Sequence, residues 1–227
     1  MQTIIGRSKE FSPALERALA EYRHKIFIER LGWPLPVADG VERDQFDNPD
    51  TVYVMTREPE GAICGCARLL PTTEPYLLSD VFPHLMGGVP VPHSPDVWEL
   101  SRFAAAAIDP DSSFDTAGNT RSLLAAAVKC AAERGAKRLV TVSPLGIERL
   151  LHRMGVHAHR AGPPMLADNK PIFACWIEID ERTLNALGVV VAKVKHADYQ
   201  ERMIAPMLTA RAKVMIGSRV LFPQFVE

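Results

Sequence analysis

An apolar strand that carries a charge on each face can exist in few settings, and residues 97–103 contain one. In Trp98-Glu99-Leu100-Ser101-Arg102-Phe103, strict alternation puts Glu99, Ser101 and Phe103 on one face and Trp98, Leu100 and Arg102 on the other. Burying an ionised group without a partner costs several kcal/mol. The strand therefore needs ion-pair partners for Glu99 and Arg102, a cleft for them to line, or a bulge that re-aims one of them.

The rest of the chain can supply such a setting. Its 227 residues are 47% hydrophobic and 23% charged, the composition of one soluble globular domain. With 26 Lys+Arg against 27 Asp+Glu the formal charge is -1, which gives no global electrostatic basis for binding nucleic acid or a membrane surface. No apolar stretch approaches the ~18 to 20 residues of a membrane span, and the start lacks the apolar region of a signal peptide. A cytoplasmic location is expected. Cys64, Cys66, Cys130 and Cys175 form no CxxC pair and have no companion histidine at zinc spacing, so they read as small buried hydrophobes and no metal site is expected.

Along the chain, Leu15, Leu19, Tyr22 and Ile26 recur at helical spacing within residues 12–31, with Ser12 as N-cap and Pro13 in the first turn. Residues 32–50, rich in Pro, Gly and acids, are too long for an idle connection and read as a functional loop. Residues 51–56 and 62–70 read as paired strands, and 71–95 as a Pro- and Gly-rich stretch. A helix over 116–134 starts at Asp115 or Thr116. Strands over 138–142, 156–159 and 172–179 alternate with a helix over 145–154, and the pattern from 182 onward is mostly helical. There is no internal repeat and no clear linker, so one mixed α/β domain is expected.

Several groupings have chemical content. Arg23, Phe27 and Arg30, at i, i+4 and i+7, make a stripe at the border of the first helix's apolar face, suited to a planar or carboxylate-bearing ligand. Asp44 and Asp47 flank Phe46 in the loop after Trp33 and would suit a cation, although solvated loop acids are the commoner explanation of such a pair. Arg68 shares a strand face with Cys64 and Cys66 and needs an anion or carbonyl partner. Charge is uneven: residues 39–60 carry seven acids and two bases, and residues 129–160 seven bases and two acids. The basic region reads either as solvated helix ends or as a docking patch for an acidic partner. The absence of a GxSxG elbow, P-loop or GxGxxG motif leaves covalent hydrolysis, phosphoryl transfer and nicotinamide chemistry without a signature.

Together these residues resemble the LuxI-type acyl-homoserine lactone synthases. The likeness rests on Arg23, Phe27 and Trp33, on Asp44 and Asp47 in Glu42-Arg43-Asp44-Gln45-Phe46-Asp47, on Arg68 in Cys66-Ala67-Arg68-Leu69-Leu70-Pro71, on Phe82, and on Glu99, Ser101 and Arg102. It covers roughly residues 1–180. A single synthase domain over 1–227 is expected, with 182–227 as a helical extension. The resemblance implies an α/β fold like the GNAT N-acyltransferases, a mixed twisted sheet flanked by helices with a cleft where central strands splay. It implies two substrates, S-adenosylmethionine and an acyl group on acyl carrier protein, with no separate cofactor. Glu99 would be the base, with Ser101 and Arg102 beside it. Arg23, Phe27, Arg30, Trp33, Asp44, Asp47, Arg68, Phe103 and Thr120 would hold S-adenosylmethionine, and Phe82, Thr141 and Ser143 would line the acyl pocket. Arg149 and Arg153, one helical turn apart, would dock the carrier. Two alternatives stay open: a GNAT-like enzyme using acyl-CoA and another amine, and a non-catalytic S-adenosylmethionine-binding regulator.

Overall fold

A computed structural model of the chain describes residues 1–35, 39–108, 115–167 and 170–191. The β-rich middle of the sequence builds one mixed sheet. Its strands are β1 (Gln2–Arg7), β2 (Val52–Arg57), β3 (Ile63–Pro71), β4 (Val97–Ala105), β5 (Arg138–Pro144), β6 (Ala158–Arg160), β7 (Met165–Ala167) and β8 (Lys170–Glu178). The order is β1-β2-β3-β4-β5-β8-β6, with β7 paired to β8. Every pairing is antiparallel except β4 with β5, which run parallel over only three residue pairs, Val97↔Arg138 to Glu99↔Val140. Beyond Glu99 these two strands part. That is the cleft of the expected twisted, helix-flanked sheet.

Helices cover both faces. On one, α3 (Thr116–Glu133), α4 (Leu145–Arg153) and α5 (Glu181–Leu187) pack Leu123, Leu124, Leu151 and Leu187 against Val54, Leu69, Trp98, Leu100 and Leu139. Asp115 caps α3 by accepting from the Gly118 amide, as the sequence predicts. On the other face two apolar clusters form. One lies under α1 (Pro13–Arg23) and includes Leu19, Tyr22, Phe27, Tyr53 and Cys66. The other lies under the short α2 (Leu77–Asp80) and includes Leu70, Leu78, Leu85, Met86 and Val140. The expected helical extension begins with α5; residues 192–227 lie outside the described ones.

The first helix departs from its expected form. After α1 the chain continues as seven residues of π-helix, His24–Arg30, with the Leu31 amide bonded to the Ile26 carbonyl. The wider winding breaks the predicted stripe: Arg23 and Phe27 are buried and Arg30 is exposed. Two strands were invisible to pattern reading. Strand β1 holds too few buried residues to alternate, and β7 is only three residues long.

Gly162, between β6 and β7, packs its backbone on the turn at residues 83–88. A Cβ there would collide with the Leu85 carbonyl oxygen and stand 2.7 Å from the Gly87 nitrogen. Because the obstacle is backbone, it has no easy way to move aside. Gly162→Ala is therefore expected to destabilise the protein by roughly 1 to 3 kcal/mol, the usual scale for overpacking, read as a lower urea midpoint at unchanged slope.

Candidate functional site

On β3, alternation turns Cys66, Arg68 and Leu70 to the face that carries α1 and α2, so Arg68 falls between the two apolar clusters there. On the neighbouring β4 the register slips: Arg68 pairs with Ser101 but Cys66 pairs with Ala104. The extra residue is taken up at Arg102, whose φ is 51°. The Cys66 thiol donates to its carbonyl at 3.1 Å. This bulge corrects the strict alternation expected for the strand. Arg102 joins Glu99 and Ser101, while Phe103 turns to the α3 side with Trp98 and Leu100. The opposite-face charges of the sequence are thereby brought to one place.

Three arginines and three carboxylates then form a closed network. Arg23 Nε donates to Glu42 Oε2 at 2.5 Å, and its Nη1 and Nη2 donate to the two Asp47 oxygens, each at 2.9 Å. Arg68 donates to Asp44 at 2.6 and 3.1 Å, to Asp47 at 2.8 Å and to the Ser101 hydroxyl at 3.0 Å. Arg102 Nη2 donates to Glu42 at 2.9 Å and Asp44 at 2.7 Å. The Tyr53 hydroxyl donates to Asp47. Arg23, Arg68 and Glu42 are buried completely, which is tolerable only because each charge is paired and hydrogen-bonded. Burial alone would push the Asp47 carboxyl up, yet the Arg23 and Arg68 guanidiniums and the Tyr53 hydroxyl hold it well below the usual carboxylate range.

The loop that supplies the carboxylates is shaped by its own backbone bonds. Asp44 Oδ1 accepts from the Phe46 amide and Asp47 Oδ2 from the Asp44 amide, at 2.9 and 2.8 Å. Over the network, Phe27 and Trp33 stack with ring centroids 4.8 Å apart, and the Arg102 guanidinium lies 5.7 Å from each ring. Arg102 Nη1 has no acceptor among the described residues.

Glu99 stands beside this network, at the point where β4 and β5 part. It is fully buried, and its two oxygens accept from the Leu77 and Leu78 amides at 3.1 and 2.7 Å. Burial raises its pKa above the ordinary carboxylate range, against the opposing pull of those amides and of Arg68. A carboxyl so placed takes up a proton more readily than an exposed one. Its surroundings are apolar: Leu70, Leu78 and Val140 belong to one cluster, with Phe82, Val142 and Trp176 packed against it.

The structure thus gathers Arg23, Phe27, Trp33, Asp44, Asp47, Arg68, Glu99, Ser101 and Arg102, with Phe82 in the adjoining apolar cluster. It does not gather the others. Arg30 donates to the Ala107 and Ile108 carbonyls, both at 3.0 Å. Thr120 is on α3, across the sheet, with its hydroxyl on the Thr116 carbonyl. Alternation along β5 turns Val140 and Val142 toward Phe82, so Thr141 and Ser143 share the Leu139 side and bond to each other at 3.2 Å. Arg149 and Arg153 are exposed on α4 and line an open groove of about 430 Å³ with Gly146 and Leu150. Four other bases of the basic region, Lys129, Lys137, Arg138 and Arg160, have carboxylate partners, whereas Arg149 and Arg153 have none among the described residues. Sequence reasoning passed over Glu42 and Tyr53. The available signal was the third acid in the Glu42-Arg43-Asp44-Gln45-Phe46-Asp47 run, which matches the three arginines Arg23, Arg68 and Arg102 one for one.

Residues 9–187 match the family described as Autoinducer synthase. The chain is 55% identical over 199 residues to the acyl-homoserine-lactone synthase of Ralstonia nicotianae, covering 86% of this chain and 97% of that protein. It is 47% identical over 185 residues to the enzyme of the same name from Acinetobacter nosocomialis, covering 79% of this chain and all of that one. Among solved structures, TofI in a ternary complex with an inhibitor and MTA superposes with a TM-score of 0.74 at 52% identity, covering 84% of this chain and 98% of TofI. The AHL synthase LasI superposes with a TM-score of 0.78 at 33% identity, covering 86% and 98%. BjaI, a CoA-dependent acyl-homoserine lactone synthase solved with SAM and isopentyl-CoA, gives 0.71 at 30% identity, covering 82% and 85%. The family match, the identities over most of the chain and the superpositions agree on one activity, and this chain belongs to the autoinducer synthase family as an acyl-homoserine-lactone synthase, an acyltransferase of quorum sensing.

Proposed function

We propose that the chain transfers an acyl group from acyl carrier protein to the amine of S-adenosylmethionine and then closes the lactone, releasing N-acyl-L-homoserine lactone, methylthioadenosine and free carrier. The observation that carries this reading is the raised, buried carboxyl of Glu99 beside the network of Arg68 and Arg102, where β4 and β5 separate. The MTA held by TofI and the SAM held by BjaI support the nucleoside substrate. In this reading S-adenosylmethionine is consumed and is not a cofactor.

An α-amino group with a pKa near ~8 is mostly protonated at neutral pH, so acyl transfer needs a base. Glu99 takes that proton, directly or through a water, as nitrogen attacks the thioester carbonyl. The C–S bond breaks, and the carrier thiolate leaves and is protonated. Arg102 Nη1, the guanidinium nitrogen with no acceptor among the described residues, faces the substrate carboxylate, and the Phe27–Trp33 stack offers an aromatic surface for adenine. In the second step that carboxylate displaces methylthioadenosine from the γ-carbon. The sulfonium is already a good leaving group, so the site mainly folds the chain for in-line attack. The acyl tail lies along the apolar cluster of Phe82, Leu70, Leu78 and Val142. The four free, buried cysteines fit a reducing, cytoplasmic setting, and no helix among the described residues is long and apolar enough to cross a membrane.

Carrier protein is favoured over CoA as donor because Arg149 and Arg153, with no carboxylate partner among the described residues, present positive charge beside an open groove, as docking of an acidic protein requires. Arg149→Glu with Arg153→Glu is expected to raise KM for the carrier thioester about tenfold or more and to weaken its salt dependence, with little change for the matching CoA thioester. Steady-state release of methylthioadenosine with both donors tests this. An equal loss with both would reject the docking role.

A further inference from the structure

We infer that Tyr22 is a positioning residue for the Arg102 bulge, acting in place of the strand neighbour that β4 loses just beyond it. The ladder of β4 with β3 ends at the pair Gly65↔Ala105, and its ladder with β5 has already ended at Glu99. The next carbonyl back along β3, that of Cys64, is taken by Asn119 Nδ2 at 2.8 Å. Ala106 is held instead by one side chain. Its amide donates to Tyr22 Oη at 3.3 Å, and the Tyr22 hydroxyl donates to its carbonyl at 3.0 Å. The two residues that follow accept from Arg30 Nη2. Three consecutive residues after β4 are thus fixed by side chains of one helical run, the run that also supplies Arg23 and Phe27 to the network.

The bulge needs such support. A left-handed backbone at a non-glycine residue is strained and persists only where its surroundings over-determine it. Arg102 is held on one side by the Cys66 thiol and on the other by the pairing of Ala104 and Ala105. That pairing is the last of the ladder, so its end frays unless Ala106 is fastened. Tyr22 is 1% exposed, which leaves little access for water to replace its hydroxyl. Burial also pushes its phenol far above the usual range, so it stays a neutral donor throughout any assay pH. Without that hydroxyl the strand end loosens back toward Arg102, and the guanidinium shifts against Glu99. A displacement of this order matters because reacting groups must be held to within a fraction of an ångström.

The inference rests on the reading of Glu99 and Arg102 as the reaction centre, and the test separates the two. In Tyr22→Phe, amide hydrogen exchange over residues 104–108 should quicken while the rest of the sheet keeps its protection. Turnover with S-adenosylmethionine and an acyl thioester should fall about tenfold, with KM for S-adenosylmethionine changed less than about threefold. Arg30→Met, at an exposed residue, should act in the same direction with a smaller drop, and it serves if Tyr22→Phe does not fold. Faster exchange with parental turnover would make Tyr22 merely structural and overturn the inference, as would unchanged exchange. Loss of turnover in Glu99→Gln with none in Tyr22→Phe would overturn the positioning role alone. Parental turnover in both would overturn the site reading with it.

Discussion

Glu99→Gln is expected to lower turnover about 100-fold or more, the scale for losing a general base, while binding of S-adenosylmethionine measured by calorimetry stays close to the parent's. Glutamine keeps the shape and one acceptor for the Leu77 and Leu78 amides but cannot take a proton. The pH profile adds a second readout. Burial raises the Glu99 carboxyl, so in the parent enzyme the rate should fall as pH drops through a value above the ordinary carboxylate range. That acidic limb should vanish in the variant. The sign for stability follows from the same shift. A carboxyl whose pKa is raised by folding binds its proton more tightly in the folded chain, so its ionised form weighs against the fold at neutral pH. Removing that charge offsets the acceptor that one of the two amides loses, so the melting temperature should change little. Unchanged turnover would remove Glu99 from the chemistry.

The second large effect is on stability. Glu42→Gln removes the negative charge that faces both Arg23 and Arg102, at a residue with no exposure. Breaking a buried pair from one side costs roughly 3 to 5 kcal/mol, because the remaining charge is left without compensation. For a chain of this size that corresponds to a fall of roughly 6 to 20 °C in Tm. Differential scanning calorimetry at neutral pH reads it directly. Restoring neutrality with Glu42→Gln and Arg23→Met together should recover part of the loss, since apolar replacement of buried ion pairs is often well tolerated. A shift under 2 °C in the single variant would mean that the network carries little of the fold.

Much of this architecture was legible because period and punctuation agree with burial. The β2–β3 hairpin, the capped α3 and the strong β8 each show their pattern in the residues themselves. The charged strand also announced its problem, and a bulge was among the solutions it allowed. What the sequence could not show was where the extra residue would be taken up, because a bulge at 102 and an unbroken strand differ by a single register step. That step decides the fate of Phe103. The π-helix was hidden for a related reason: an α pattern over Leu15, Leu19, Tyr22 and Ile26 says nothing about a wider winding from His24 onward. Thr141 and Ser143 depend on which face of β5 meets Phe82, which only the neighbouring strands determine. Glu42 was passed over because one loop acid looks like another until its depth is known.

Three cations and three anions locked together add up to a multipole with no net charge. Its potential dies away within a few ångströms, so the pocket is electrically quiet to anything approaching through water. A charged nucleoside must therefore find its seat by diffusion and shape, feeling the guanidiniums only on arrival. In the proposed reading the long-range pull resides instead on α4, where Arg149 and Arg153 are exposed, so the two substrates would be met under opposite rules: one drawn in from afar, the other recognised only by touch.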